Sequence, residues 1–304
     1  MPGITTAASV GPGIDFTCVG LSTGNIQCIG ANGSGELGNA SAPGQSNTLV
    51  VVDGINDAIY VQAGYRYACA LKRSGTVSCW GSNSHKQLGP AAESLAFSRA
   101  PVHVPGSEGS IGLSVGSTHA CVVKADRSVH CWGNNDGGQL GAPGSSGLTI
   151  ATPVKVPNVS NAVMVAAAVN MTCAMDDAGA VRCWGCDNGG GSCFSAPNPV
   201  AGLSRTRGIA AGAYHACAVR DDSRVVCWGY NSQGQLGAAG PERSSTPLVV
   251  PNIRDAVAVS TGAETSCALR ASGGVSCWGE NHIGQLGTLD AGPRSAMPVD
   301  VPGL

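Results

Sequence analysis

The chain has little charge, few aromatic residues and no long apolar run. Only 12% of its 304 residues are Asp, Glu, Lys or Arg, and only 4% are Phe, Trp or Tyr. So low a charge excludes the strongly charged disordered chains that self-repulsion keeps unfolded. A formal charge of −2 removes the electrostatic route to nucleic acid, because nothing attracts a phosphate backbone. No segment approaches the roughly 20 consecutive apolar residues that a membrane-spanning helix needs. Met1-Pro2-Gly3-Ile4 has neither the basic start nor the apolar stretch of a signal peptide, so the compartment must be read from the cysteines. Catalytic signatures are missing too: no Gly-x-Ser-x-Gly elbow, no phosphate loop and no Ser-His-Asp ordering. The chain therefore reads as a non-enzyme without cofactor or metal.

What is abundant is glycine, 45 residues, and cysteine, 14 residues. The glycines follow no three-residue period, which excludes collagen. The cysteines are periodic. Cys18, Cys69, Cys121, Cys173, Cys217 and Cys267 are spaced by 51, 52, 52, 44 and 50 residues, and each is followed ten positions later by Cys28, Cys79, Cys131, Cys183, Cys227 or Cys277. Five of the second set begin Cys-Trp-Gly, while the first copy reads Cys28-Ile29-Gly30. Next comes Gly-x-Asn-x-x-Gly-Gln-Leu-Gly, complete over Gly133 to Gly141, Gly229 to Gly237 and Gly279 to Gly287. The first copy has Glu36 in place of the Gln, and the second has Lys86 in place of a Gly. Each copy then ends near a Pro-x-x-Val type strand, as in Pro101-Val102-His103-Val104, with Leu49 in place of the Pro in the first copy. Repeats therefore run over residues 4–53, 54–105, 106–157, 158–203, 204–251 and 252–304, in one domain spanning 1–304.

Within a copy the pattern is strand, tight turn, strand. Ala68 to Leu71 and Val77 to Trp80 flank Arg73-Ser74-Gly75, and opposing Cys69 to Cys79 pairs Lys72 with Thr76 across a three-residue loop. Such loops favour φ > 0 at their last residue. Gly24, Gly75, Gly179 and Gly273 fill that position, but Arg127 and Ser223 fill it in the third and fifth copies. With the strand before, Ala58 to Ala63, and the Pro-Val strand after, each copy offers four strands. Both faces of the central strands are apolar, as stacked blades require. Four-stranded units at this period define an all-β fold, a β-propeller of six blades, with the ring closed by the C-terminal strand meeting the N-terminal repeat.

Cross-strand neighbours at non-hydrogen-bonded positions lie close enough for a disulfide. Cys18–Cys28, Cys69–Cys79, Cys121–Cys131, Cys173–Cys183, Cys217–Cys227 and Cys267–Cys277 are therefore expected, each worth about 2.5 kcal/mol. Cys186 and Cys193 bound a glycine-rich loop that replaces Gly-Gln-Leu-Gly in the fourth copy, and they make a seventh pair. Cys183-Trp184-Gly185-Cys186 has Cys-x-x-Cys spacing, but Cys183 already has a partner by repeat position. Seven bridges imply an extracellular, surface or periplasmic setting.

A binding surface is expected on the short Gly-x-x-x-Cys connections. They carry Asp15, Phe16, Tyr65, Arg66, Tyr67, His119, Tyr214, His215 and Glu264, and Tyr and Arg are favoured at binding hot spots. His119 and His215 share one slot, held elsewhere by Phe16, Tyr67, Met171 and Thr265. A slot filled so variously is no catalytic constellation, and the two histidines read as half-buried strand-entry residues with satisfied ring nitrogens. Asn134-Asn135-Asp136-Gly137 lacks the acidic ligands of a calcium loop and reads as turn chemistry.

The order His-x-Cys-Ala-Leu, Gly-x-Val-x-Cys-Trp-Gly, x-Asn-x-x-Gly-Gln-Leu-Gly, Pro-x-x-Val resembles the regulator of chromosome condensation repeat over essentially the whole chain. The resemblance implies a propeller, with seven blades in the better-known members against six copies here. Family members include a nucleotide-exchange factor for a small GTPase, a secreted bacterial inhibitor of β-lactamases, and adaptor modules. The paired cysteines resemble the bacterial secreted type, and likeness to the inhibitor implies aromatic contacts from Tyr65, Tyr67 and Tyr214. The expected function is a secreted or cell-surface, monomeric, non-catalytic module binding a protein partner through one rim. The alternatives are lectin-like glycan binding, for which the repeated Trp look too structural, and GTPase exchange, which the disulfides disfavour.

Overall fold

The computed structural model describes residues 6–186, 193–288 and 291–303. The second repeat shows how a blade is made. β5 (Ala58–Ala63), β6 (Tyr67–Lys72), β7 (Val77–Ser82) and β8 (Phe97–His103) form one antiparallel sheet in chain order. The Lys72 N–H donates to Thr76 O at 2.9 Å, and the Gly75 N–H to Lys72 O at 2.9 Å, which closes the expected three-residue turn. Cys69 faces Cys79 in this register, and the Cα atoms of the bridge stand 4.1 Å apart, the close spacing of a non-hydrogen-bonded pair. Counting outward from the turn thus puts the bridge where the sequence expects it.

Each of the six repeat segments holds one such four-stranded sheet, so the fold is a six-bladed β-propeller. The last strand, β24 (Arg294–Asp300), pairs with β23 (Val275–Glu280), and β1 (Ala7–Pro12) pairs with β2 (Phe16–Leu21). Among the described strands, no sheet borrows a strand from another repeat, and the expected meeting of last strand and first repeat is not a strand pairing. Contacts divide the chain into two compact units, residues 1–160 and 161–304, with three blades in each. Seven disulfides join all the pairs named above, Cys186–Cys193 included, and among the described residues no cysteine is free. Residues 187–192 of the loop between that last pair lie outside the described residues.

The core lies between blades. Within the first unit, the bridge face of blade one, with Phe16, Cys18, Ile26 and Cys28, packs on Ala68, Ala70 and Trp80 of blade two. The bridge face of blade two packs in turn on Ala120, Val122 and Trp132 of blade three. In the second unit, blade four meets Ala216, Ala218 and Trp228, and blade five meets Ala268 and Trp278. Small residues beside one large indole let adjacent sheets approach closely.

The long motif after Cys-Trp-Gly supplies the polar half of each junction. Asn83 Oδ1 accepts the Leu88 N–H at 2.9 Å, while its amide donates to Ala92 O and Leu95 O. Gln87 Oε1 accepts the His85 N–H at 2.8 Å. The main-chain oxygen of Gln87 then accepts the indole N–H of Trp132 at 2.9 Å, as Glu36 O does for Trp80 and Gln235 O for Trp278. Trp80→Ala removes a fully buried indole and leaves Glu36 O without its donor. We expect an unfolding free energy lower by about 3–5 kcal/mol in denaturant titration, with Trp80→Phe losing less.

Arg127 and Ser223 take the glycine place in their turns and are forced to φ values of +65° and +62°. A side chain there costs about 1–2 kcal/mol, partly offset by the greater chain entropy of glycine. The exposed Arg127→Gly should therefore stabilise by about 0.5–1 kcal/mol, seen as a higher denaturant midpoint at unchanged slope.

Candidate binding rim

The six connections between first and second strands share one closure. The Gly64 N–H donates to Tyr67 O at 2.8 Å, and the same bond recurs at Gly13 to Phe16, Gly116 to His119, Ala168 to Met171, Gly212 to His215 and Gly262 to Thr265. The ring at the last slot lies hard against the glycine. A Cβ on Gly64 would fall 2.3 Å from Tyr67 Cε1, and one on Gly212 would fall 2.6 Å from His215 Cε1. In the first unit neighbouring loops are also stitched together. The Ile14 N–H donates to Tyr65 O at 3.3 Å, and the Tyr65 N–H to Ser117 O at 3.1 Å. In the second unit the Ala213 N–H donates to Ala263 O at 3.3 Å.

The nine residues expected on this rim divide sharply. Tyr65 is 51% exposed, the Arg66 side chain is 45% exposed, and Asp15 is exposed with φ +59°. Tyr214 and Glu264 are half-buried. Phe16, Tyr67, His119 and His215 are buried and present nothing to a partner. Each stands two residues before a bridging cysteine, and a strand's period of two turns it onto the same core face. Tyr67 is a packing residue whose hydroxyl donates to Gly116 O at 3.1 Å and to His119 O at 2.5 Å. The histidines, too, are fully rather than half buried, and His215 Nδ1 has no hydrogen-bond partner. Burial lowers the pKa of His119 to about 3 and that of His215 to about 4, so both are neutral at pH 7.

Sequence reasoning left out four rim residues. The Arg66 Nε–H donates to Glu36 Oε1 at 2.9 Å, and the other oxygen of this buried carboxylate accepts the Ser34 N–H at 2.6 Å. Glu36 replaces the usual Gln where Arg66 supplies a cation, so the one charged residue at this repeat position has a counter-charge. Tyr230 meets Tyr214 edge to face, with ring centroids 6.3 Å apart. The Glu280 N–H donates to Glu264 O at 3.0 Å; burial, then the charge of Glu280, raises the pKa of Glu264. The fourth is Ile14, 47% exposed beside Tyr65. Glu36, Tyr230 and Glu280 come from another loop, whereas Ile14 adjoins Asp15 on an expected one, and only Glu36 departs from the repeat pattern. Among the described residues, no group of three or more His, Cys, Asp or Glu is placed to hold a metal ion.

Disulfide-stapled four-stranded blades with stitched loops at the first connection define a repeat propeller. The chain belongs to the regulator of chromosome condensation (RCC1) repeat family: family models of that description match residues 58–87, 111–139, 207–235 and 256–285, and also 126–175 and 222–269. It is similar to the secretion-regulating guanine nucleotide exchange factor of Bos taurus, 30% identical over 136 residues, which are 42% of this chain and 29% of that protein. It is also similar to the ultraviolet-B receptor UVR8 of Arabidopsis thaliana, 27% identical over 171 residues, 55% of this chain and 39% of the receptor. The chain thus spans well under half the length of these relatives. Among solved structures it overlays human WBSCR16 with a TM-score of 0.86 at 19% identity, over 98% of this chain and 83% of that one. Prp20p of Saccharomyces cerevisiae, a protein described with binding to Gsp1p and histones, overlays with a TM-score of 0.82 at 19% identity, covering 97% and 76%. At such identities the overlays speak for the fold alone.

Proposed function

We propose that the protein is a secreted or cell-surface, non-catalytic binding module that recognises a protein partner through its rim loops. Tyr65 and Arg66 lead the contact with Asp15 in the first unit, and Tyr214 and Glu264 hold the equivalent loops of the second. The observation that carries this reading is the exposure of Tyr65 on a loop bonded to both neighbouring loops. An aromatic side chain held rigidly in solvent is costly to leave uncovered and loses little entropy on binding. Seven disulfides support an oxidising compartment. Prp20p, which shares the fold, is described with binding to Gsp1p and histones. Glycan recognition loses its usual platform, since Trp80, Trp132, Trp184, Trp228 and Trp278 are all buried.

The test is capture from envelope and culture fractions by oxidised protein, wild type against Tyr65→Ala/Arg66→Ala. Affinity for the captured protein should fall about 30-fold or more, the effect of losing a hot spot of about 2 kcal/mol. Undiminished capture by the double variant, with an unchanged melting curve, contradicts the rim assignment. Capture that survives protease but not glycosidase treatment of the fraction contradicts a protein partner.

A further inference from the structure

We infer that the junction between blades four and five holds an open slot for a Leu-Gly loop of another protein, anchored by the Trp228 indole N–H. The other junctions show what such a slot takes. Trp80, Trp132 and Trp278 each donate at 2.9 Å to the main-chain oxygen of Glu36, Gln87 or Gln235 in the preceding copy. The next residue, Leu37, Leu88 or Leu236, is fully buried and clusters with Val52, Val104 or Val250. The glycine after it is held just as tightly. A Cβ on Gly38 would lie 2.8 Å from Trp80 Nε1 and 3.0 Å from Val52 Cγ1, and one on Gly237 would lie 2.7 Å from Trp278 Nε1. Carbonyl, leucine and glycine thus fill the space between the valine of one blade and the indole of the next.

The fourth copy lacks this filling. No Gln or Leu stands between Cys183 and Val200, and Phe194 is 47% exposed rather than inserted. Every wall of the slot registers the loss. Trp228, at the repeat position of Trp80 and Trp278, is 6% exposed, and among the described residues its N–H has no acceptor. Val200 matches Val52, Val104 and Val250 through its bond to Val181 O, yet it is half-buried where they are at most 2% exposed. Cys183 is half-buried too, whereas Cys28, Cys79 and Cys227 are sealed. Asn198, opposite Cys183, is exposed where Val50, Val102 and Leu248 are half-buried. Val200 and Cys183 border the buried cluster that holds Trp228 and Leu203, so the slot continues the established junction of these blades. An unpaired N–H, an apolar wall and an exposed amide suit a main-chain carbonyl, an aliphatic side chain and a peptide edge. Glycine must follow the leucine, because a larger residue would strike the indole as it would at Gly38 and Gly237. The slot uses neither Tyr65 nor Arg66, so this inference and the rim proposal can fail separately.

The probe is a capped heptapeptide with the sequence of residues 231–237, Asn-Ser-Gln-Gly-Gln-Leu-Gly, added to nitrogen-labelled protein and followed by NMR. In the free protein the Trp228 indole N–H, assigned by its loss in Trp228→Phe, should exchange with solvent faster than those of Trp80, Trp132 and Trp278. Peptide at millimolar concentration should shift that indole signal and slow its exchange. Replacing the leucine or the last glycine of the peptide by alanine should weaken binding at least about tenfold. Trp228→Phe should weaken it about fivefold yet melt close to the wild type, having no hydrogen bond to lose. A Trp228 N–H as protected in the free protein as the other three, or one that does not respond to the peptide, overturns the inference. The wild-type spectra decide it even where a variant does not fold.

Discussion

Full reduction should unfold this protein at 25 °C. Each of the six repeat bridges closes a loop of ten residues in sequence separation and contributes about 2.5 kcal/mol by restricting the unfolded chain. Together they amount to about 15 kcal/mol, the upper end of the stability of ordinary native proteins. Little else can substitute, because the core is spread over blade junctions rather than gathered in one mass. In a dithiol reductant with mild denaturant, the buried tryptophans should shift to solvent-exposed emission and the strand signal in circular dichroism should vanish. Access also sets an order. Cys193 is exposed and Cys186 half-buried, whereas Cys18, Cys28, Cys69, Cys79, Cys121 and Cys131 are sealed in the core. Alkylation after brief reduction should therefore label Cys186 and Cys193 first. A reduced chain that kept native emission would show that packing alone sustains the blades.

Acid should weaken the protein well before its carboxylates protonate. Unfolding raises His119 from a pKa of about 3, and His215 from about 4, to the ordinary value near 6.5. Above pH 6.5 both states are neutral and the full stability is present. Below it the unfolded chain binds protons that the native state refuses, so stability falls as pH falls, until the native histidines themselves titrate. The slope is about 1.4 kcal/mol per pH unit for each histidine, about 2.7 for both, from pH 6.5 down to about 4. Half-buried His130, its pKa also lowered by burial, acts in the same direction. Denaturant titrations at pH 7, 6 and 5 should show the loss, and His215→Tyr should remove about half of it. A flat profile over that range would mean that the histidines are hydrated in the native state.

Much of the fold is legible in the sequence because two short periods reinforce each other. Ten residues between cysteines and a three-residue turn fix one hairpin register, and that register recurs in every repeat. The alternation of Cys69 and Leu71 against Ala70 shows that both faces of a strand are covered. The rim was legible only in part. Tyr67 and His215 sit in a loop-like stretch beside Gly64 and Gly212, yet each already starts its strand. Counting back two residues from Cys69 or Cys217 turns them inward, a signal available in the sequence and outweighed by the aromatic character of the loop. The pairing of Arg66 with Glu36 could not be read, since it joins residues 30 apart in different blades and depends on the stacking distance. The partnership of His215 with Ser266 and Gln235 crosses blades in the same way, and no local pattern reports it.

The most direct test of disulfide-closed blades is peptide mapping by mass spectrometry of protein digested without reduction and alkylated beforehand. The account predicts no alkylated cysteine among the 14, and six cross-linked peptides each joining cysteines ten residues apart, with a seventh joining Cys186 to Cys193. Free thiols at the repeat positions, or bridges joining one repeat to another, would contradict it.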